Sequence, residues 1–194
     1  MNILYLGPLS SNFFNNLKSF SDNIIQTEER ITIEFLKKHS IELIVSYGYR
    51  HIISKELIGF MKNRIVNLHI SYLPWNRGAD PNFWSFLENT KKGVTVHLID
   101  GGIDTGPIIV QKEVTFSHNI TLRQSYAILS NELEKLFFEN WSNIRIGNFE
   151  AVPQNFEIGN IHFIKDKKKY EHLLTNGWDT PVSKLNELRP KNEI

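Results

Sequence analysis

The chain has 194 residues, 41% of them hydrophobic and 22% charged, with a formal net charge of +1. That length suits one domain around one core, and the balanced charge gives no reason to expect nucleic acid or an anionic membrane as the main partner. The absence of cysteine excludes disulfides, thiolate zinc sites and a cysteine nucleophile. The start, MNILYLGPLSSNFF, has neither a basic region nor a long apolar run, so no signal peptide is expected. No apolar run approaches a membrane span, and a soluble cytoplasmic protein is the expectation.

In chain order, Ile3 to Leu6 is an apolar run ended by Gly7-Pro8 and reads as a buried strand. A helix over Ser10 to Phe20 and a strand over Asn23 to Gln26 follow. Glu29 to His39 has helical spacing, with apolar residues at 31, 33, 35 and 36. Ile41 to Ser46 is a strand stopped by Gly48, Ser54 to Met61 a helix, and Ile65 to Ile70 a strand. Strands alternating with short helices argue for an α/β fold, a doubly wound and mainly parallel twisted sheet. Gly93 to Ile99 and Pro107 to Val114 read as two strands joined through Asp100 to Gly106. After Thr121 comes a long helix with an apolar stripe of Leu122, Tyr126, Leu129, Leu133, Leu136 and Phe137; Thr121 with Gln124 suggests a capping box. Residues 1–147 form the expected core. The more polar residues 148–194, with the basic piece KDKKKYEHLL and the turn NGWDTP, form a C-terminal extension.

The stretch VNLHISYLPWNRGADPNFW, residues 66–84, carries the chemistry. Alternate residues of a strand share a face, so Asn67 and His69 point one way while Val66, Leu68 and Ile70 point the other. The aliphatic side satisfies a core, and the polar pair gathers near the strand's C-terminal end, where open α/β sheets bind ligands. Thr95 and His97 are paired in the same way on the next strand, opposite Val94, Val96 and Leu98. Taken singly, an Asn and a His on a strand are often hydrogen-bonded core residues, Gly101, Gly102 and Gly106 serve a turn, and Asp104 is a loop carboxylate.

Together the residues form an ordered string: N-L-H, I-S-Y-L-P, R-G-A-x-P-x-x-W, G-V-T-V-H and D-G-G-I-D-T-G-P-I. This string resembles the folate-dependent formyltransferases, closely from about Ile44 to Val114, and within them the sugar N-formyltransferases. The resemblance implies a Rossmann-like core and transfer of a formyl group from N10-formyltetrahydrofolate to a primary amine, with no metal. It implies a catalytic trio of Asn67, His69 and Asp104. The chemistry wants such groups: a fixed amide N–H stabilises the developing oxyanion. An imidazole takes the amine's proton or, if protonated, acts on the oxyanion. A carboxylate holds a water or the imidazole and stabilises the cation. His97 orients Asp104 or is a satisfied core histidine. For the folate, the resemblance implies Arg50, His51, Ile52 and Ile53 on one side and Asp100, Gly101, Gly102 and Asp104 on the other.

The N-terminal part is shorter than in larger relatives, and LSSNF lacks the Gly-rich character that lets a backbone approach a phosphate. A ribonucleotide acceptor is therefore disfavoured, with Ser10 and Ser11 left as phosphate contacts or a helix N-cap. The near-zero charge speaks against a tRNA acceptor, and KDKKKY reads as a solvated face. The resemblance to sugar N-formyltransferases implies a small-molecule partner, a dTDP- or UDP-linked amino deoxy sugar. Arg77 and Gly78 are expected at the acceptor, Arg77 on the diphosphate. Tyr72, Trp75, Phe83 and Trp84 wall the acceptor pocket or fill the core. A homodimer is a family-style expectation. The alternatives are glycinamide ribonucleotide or another small amine as acceptor, a formyltetrahydrofolate hydrolase, and a catalytically silent binding module.

Overall fold

A computed structural model describes residues 1–9, 12–20, 22–117 and 119–187. Short aliphatic runs become strands and the amphipathic pieces between them become helices, in the order β1 (Asn2–Leu6), α1 (Asn12–Lys18), β2 (Asn23–Thr27), α2 (Ile33–Lys38), β3 (Leu43–Ser46), α3 (Lys55–Met61) and β4 (Ile65–His69). There follow β5 (Arg77–Gly78), α4 (Pro81–Leu87), β6 (Gly93–Leu98), β7 (Ile108–Glu113) and the long α5 (Leu122–Ile146). The last elements among the described residues are β8 (Ile161–His162), α6 (Ile164–Lys167), a 3-10 helix over Lys168–Leu173, β9 (Thr175–Trp178) and α7 (Val182–Glu187). The helix ends obey local chemistry. Thr32 and Ser54 cap α2 and α3 through their hydroxyls, and α5 opens with the full Thr121–Gln124 capping box and closes on Gly147 at φ 76°. Each of these groups satisfies backbone polar atoms that a helix end leaves free.

Among the described residues, six strands form one sheet in the order β2-β1-β3-β4-β6-β7. The β1–β2, β1–β3 and β3–β4 pairs are parallel, whereas β6 runs antiparallel to both β4 and β7. The sheet is thus mainly parallel with an antiparallel edge, and the chain leaves β1 toward β2 on one side and returns to β3 on the other. That reversal is the switch point of a doubly wound, Rossmann-like sheet.

Each sheet face has its own core. Ile3, Tyr5, Val66, Leu68, Val94 and Val96 meet α1 and α5 on one face. Leu4, Leu6, Ile44 and Ile65 meet α2 and α3 on the other. The α5 stripe is buried at Leu129, Leu133, Leu136, Phe137, Trp141 and Ile144, each worth roughly 1.5–3 kcal/mol relative to exposure. Tyr126 departs from the expected stripe: it is 54% exposed because the first turn of α5 overhangs a cleft instead of the sheet. The basic KDKKKYEHLL piece divides into α6 and the 3-10 helix, and NGWDTP begins in β9 before turning at Asp179. Residues beyond Gly147 pack back on the rest: Val152 bridges Ile108, β8 pairs with β5, and Val182 and Leu185 join Phe83, Trp84 and Leu122.

Candidate active site

On the face of the sheet bearing Asn67 and His69, the register sets Asn67 opposite His97 and His69 opposite Thr95. Four polar side chains are therefore grouped on two adjacent strands, while their neighbours Val66, Leu68, Val94 and Val96 close the core behind them. Thr95 serves the loop: its hydroxyl donates to the Ser71 carbonyl at 2.7 Å and accepts the Leu73 N–H at 3.2 Å. His97 is buried, with Nδ1 2.7 Å from the Leu98 carbonyl. A carbonyl only accepts, so Nδ1 carries the proton, and Nε2 accepts from the Asn67 amide at 3.1 Å. Burial pushes the His97 pKa down to about 4 against the attraction of Asp104, which keeps this acceptor tautomer at neutral pH. The Asn67 amide is thereby turned so that its second N–H reaches toward Asp104 Oδ1 through a long contact of 3.5 Å.

His69 is held from the opposite nitrogen. Its Nε2 donates to the Asn76 carbonyl at 3.2 Å, leaving Nδ1 as the basic nitrogen, 3.6 Å from Asp104 Oδ2. Asn76 sits at φ 56° and Asp104 at φ 51°, in the left-handed region that costs a side-chain-bearing residue energy unless its surroundings hold it. The Asp104 carboxylate also accepts the Gly78 N–H at 2.9 Å. Burial opposes its charge, but His69, His97, the Gly78 N–H and Arg77 outweigh that and hold its carboxyl below the ordinary range. Gly78 stands at φ 88°, and a Cβ there would lie 2.2 Å from the His162 carbonyl oxygen. Only glycine allows β5 and β8 to close this tightly.

A cleft of about 860 Å³ opens over these groups. Its lining includes Tyr47 to Arg50 after β3, the end of β4, Gly78 to Phe83, Asp104, the first turn of α5 and, from the C-terminal segment, Ile164 and Trp178. The trio Asn67, His69 and Asp104 is brought together in it. Of the expected folate residues, Arg50 lines the cleft, and His51 packs edge-on to Tyr49. Asp100 braces its own loop by accepting from Gly102 N–H and the Thr105 hydroxyl; that loop meets α3, where a Cβ on Gly101 would lie 3.4 Å from the Lys55 chain. The Ile52 side chain is 83% exposed and that of Ile53 is buried in the core under α3, which leaves their backbone groups as what this segment would offer the folate.

The expected acceptor residues divide similarly. Gly78 lines the cleft with its N–H given to Asp104. Arg77 lies over the Phe156 ring, 4.9 Å from its centroid. Trp84 is buried, stacked on His162 with centroids 3.8 Å apart; its apolar face is used for packing, as the core alternative for the aromatics anticipated. Ser10 and Ser11 lie outside the described residues. Sequence reasoning missed Arg123, Tyr126 and Trp178 in the cleft, because a helix start and a distant strand meet there only through tertiary folding. It also missed Asn160, whose side-chain oxygen accepts the Asn76 N–H and so fixes the carbonyl that holds His69. Asn before Arg-Gly in a loop was the available signal for Asn76, since Asn tolerates positive φ.

Three comparisons bear on this site. A family model described as formyl transferase matches residues 14–140. The chain is 30% identical over 176 residues to a methionyl-tRNA formyltransferase of Agathobacter rectalis, covering 84% of this chain and 57% of that protein. It is 36% identical over 126 residues to a dTDP-4-amino-4,6-dideoxyglucose formyltransferase of Mycobacterium bovis, covering 65% and 53%. The chain thus spans just over half the length of the curated relatives it matches. Among solved structures it is similar to the formyltransferase PseJ of Anoxybacillus kamchatkensis in complex with UDP-4,6-dideoxy-4-formamido-L-AltNAc and tetrahydrofolate, with a TM-score of 0.91, 50% identity, and coverage of 95% of this chain and 97% of that one.

Proposed function

We propose that this chain, which belongs to the formyl transferase family, moves a formyl group from N10-formyltetrahydrofolate to the 4-amine of a UDP-linked 4-amino-4,6-dideoxy sugar. The observation that carries the reading is the near-complete overlap with the Anoxybacillus enzyme, whose structure holds a UDP-linked 4-formamido sugar and tetrahydrofolate. The cleft supports it, being large enough for two ligands to meet and lined in part by Arg50, a residue type that suits polyanionic molecules; Arg123, also in the lining, is paired with Asp179.

In the proposed reaction the neutral amine attacks the formyl carbon and the carbonyl oxygen becomes an oxyanion. Asn67 gives that oxygen the N–H now making the long contact with Asp104, a donor already aimed by His97. His69 takes the amine's proton at Nδ1, with Nε2 anchored on Asn76. Asp104, 3.6 Å away, stabilises the imidazolium that results. The bond from carbon to N10 then breaks as N10 takes the proton that His69 removed from the amine, and the products are the formamide and tetrahydrofolate with His69 neutral again. No metal takes part in this route; it needs proton transfer and charge stabilisation alone.

The curated methionyl-tRNA formyltransferases raise a second reading, with aminoacyl-tRNA as acceptor. A net charge of +1 supplies little of the clustered positive charge that tRNA binding draws on. A spectrophotometric assay of formyl-group loss tests both, with UDP- and dTDP-linked 4-amino and 3-amino sugars, methionyl-tRNA and a no-acceptor control. Turnover with the UDP-linked 4-amino sugar is expected. Turnover with methionyl-tRNA alone, or without any acceptor, overturns the reading.

A further inference from the structure

The family match ends at residue 140, yet a side chain from beyond that point grips the loop bearing Asp104. Gln154 is buried, and its Nε2 lies 2.9 Å from the Asp104 carbonyl oxygen and 2.8 Å from that of Gly106. Two acceptors on one nitrogen use both amide hydrogens, which fixes the orientation of the amide. Its Oε1 has no partner among the described residues, so this amide is spent on gripping the loop and is left incompletely satisfied itself.

The grip falls where the loop needs it. Asp104 has positive φ, a conformation held only by its surroundings. Gly106 follows, packed so tightly that a Cβ would lie 1.8 Å from the Leu98 carbonyl oxygen. On the other side, Val152 exchanges two backbone hydrogen bonds of 2.8 Å with Ile108, anchoring Gln154 to the start of β7. The loop is thus clamped on both sides of Asp104, by Gly78 at the carboxylate and by Gln154 at the backbone.

We propose that Gln154 is a positioning residue for formyl transfer: its amide holds the Asp104 backbone in the left-handed conformation from which the carboxylate faces both His69 and Asn67. The proposal rests on the reading of Asp104 as part of the reacting trio. A displacement on the order of 1 Å costs about a hundredfold in catalysis, so loss of the clamp acts on turnover more than on binding.

The test compares wild type, Gln154→Met, Gln154→Glu and Asp104→Asn in the formyl-transfer assay, with circular dichroism to verify folding. Gln154→Met keeps the length and removes both donors; kcat is expected to fall about ten- to a hundredfold, with KM for both substrates within about threefold. In Gln154→Glu the new carboxyl is buried against two carbonyl oxygens, which raises its pKa. Protonated, it offers one O–H donor; ionised, it repels both oxygens. With the folded fraction followed by circular dichroism at each pH, the ratio of its kcat per folded molecule to wild type is therefore expected to fall as pH rises; a purely structural role would lower the folded fraction and leave this ratio flat. Wild-type turnover in Gln154→Met, or a flat ratio in Gln154→Glu, overturns the proposal. Should Gln154→Met fail to fold, the Gln154→Glu pH ratio decides alone. If Asp104→Asn turns over like wild type, or wild type transfers no formyl group, the underlying reading fails and takes this inference with it. If Asp104→Asn is inactive while Gln154→Met is normal, the inference alone fails.

Discussion

The two faces of β4 and β6 use one pleat for opposite ends. On one face Val66, Leu68, Val94 and Val96 meet α5 in a dry, close-packed layer. On the other, Asn67, His69, Thr95 and His97 lie under loops, and their hydrogen bonds run to Asn76, Asp104, Ser71 and Leu98. A residue's cost on the first face is volume; on the second it is the partner left without a bond. The difference teaches that the apolar face fixes the strands while hydrogen bonds aim the polar side chains: His97 turns Asn67, Asn76 holds His69 and Gly78 holds Asp104.

The sharpest way to break this comparison is to truncate the polar face. His69→Ala and Asn67→Ala are each expected to lower kcat by about 10²–10⁴-fold, with the circular dichroism spectrum unchanged; near-normal turnover in either removes that residue from the chemistry. Truncation of the apolar face is expected to do the reverse. Leu133→Ala, a fully buried site on α5, should cost about 2–5 kcal/mol in urea unfolding, while turnover per folded molecule stays within about twofold of wild type, a ratio that follows from its distance from the reacting groups. A large loss of turnover in the folded fraction would mean that the two faces are not separable.

A pH titration sharpens the comparison further. His97 has a folded pKa of about 4, below its ordinary 6.5, so the unfolded chain binds more protons between those values. Stability should therefore fall as pH drops from about 6.5 to about 4, by about 3 kcal/mol in all for this group. NMR of the imidazole should show His97 as the neutral Nδ1–H tautomer at pH 6.5 and over the upper part of that window, with protonation setting in toward pH 4. Protonation near pH 6.5 would place it outside a dry site. Asp104, held below 3.8, begins to lose its contribution only as pH falls below about 5, so the interval from about 6.5 to about 5 reads His97 without it. The smallest expected effect lies at the margin of both faces: Thr121→Ala removes the α5 cap and should cost about 1 kcal/mol in the same unfolding experiment, with turnover unaltered.

Much of the site was legible because its pattern is local. Asn67 and His69 two apart on a strand, and Thr95 and His97 two apart on the next, point the same way by the geometry of the pleat alone. The ordered string that includes Asp104 added the third member. What no local pattern gave was the packing partner at longer range. Arg77 lies over the Phe156 ring and Trp84 stacks on His162, partners about 80 residues further along the chain. Ile53 shares its segment with Arg50, yet it faces the core under α3. Tyr126 keeps the helical period of the α5 stripe, but no sheet lies beneath that first turn.

By itself, the sequence determined the alternation of strands and helices, the long capped α5, and which residues of β4 and β6 are polar, because these follow from periodicity and local hydrogen-bond chemistry. Only the tertiary structure decided that β6 runs antiparallel beside β4, which sets Asn67 against His97. Only it decided that residues 152–162 return to the site, where Asn160 fixes the carbonyl holding His69 and Gln154 grips the backbone of Asp104. The reason is physical: a buried carbonyl or N–H accepts whichever partner folding brings to it, and the identity of that partner is written in no local pattern.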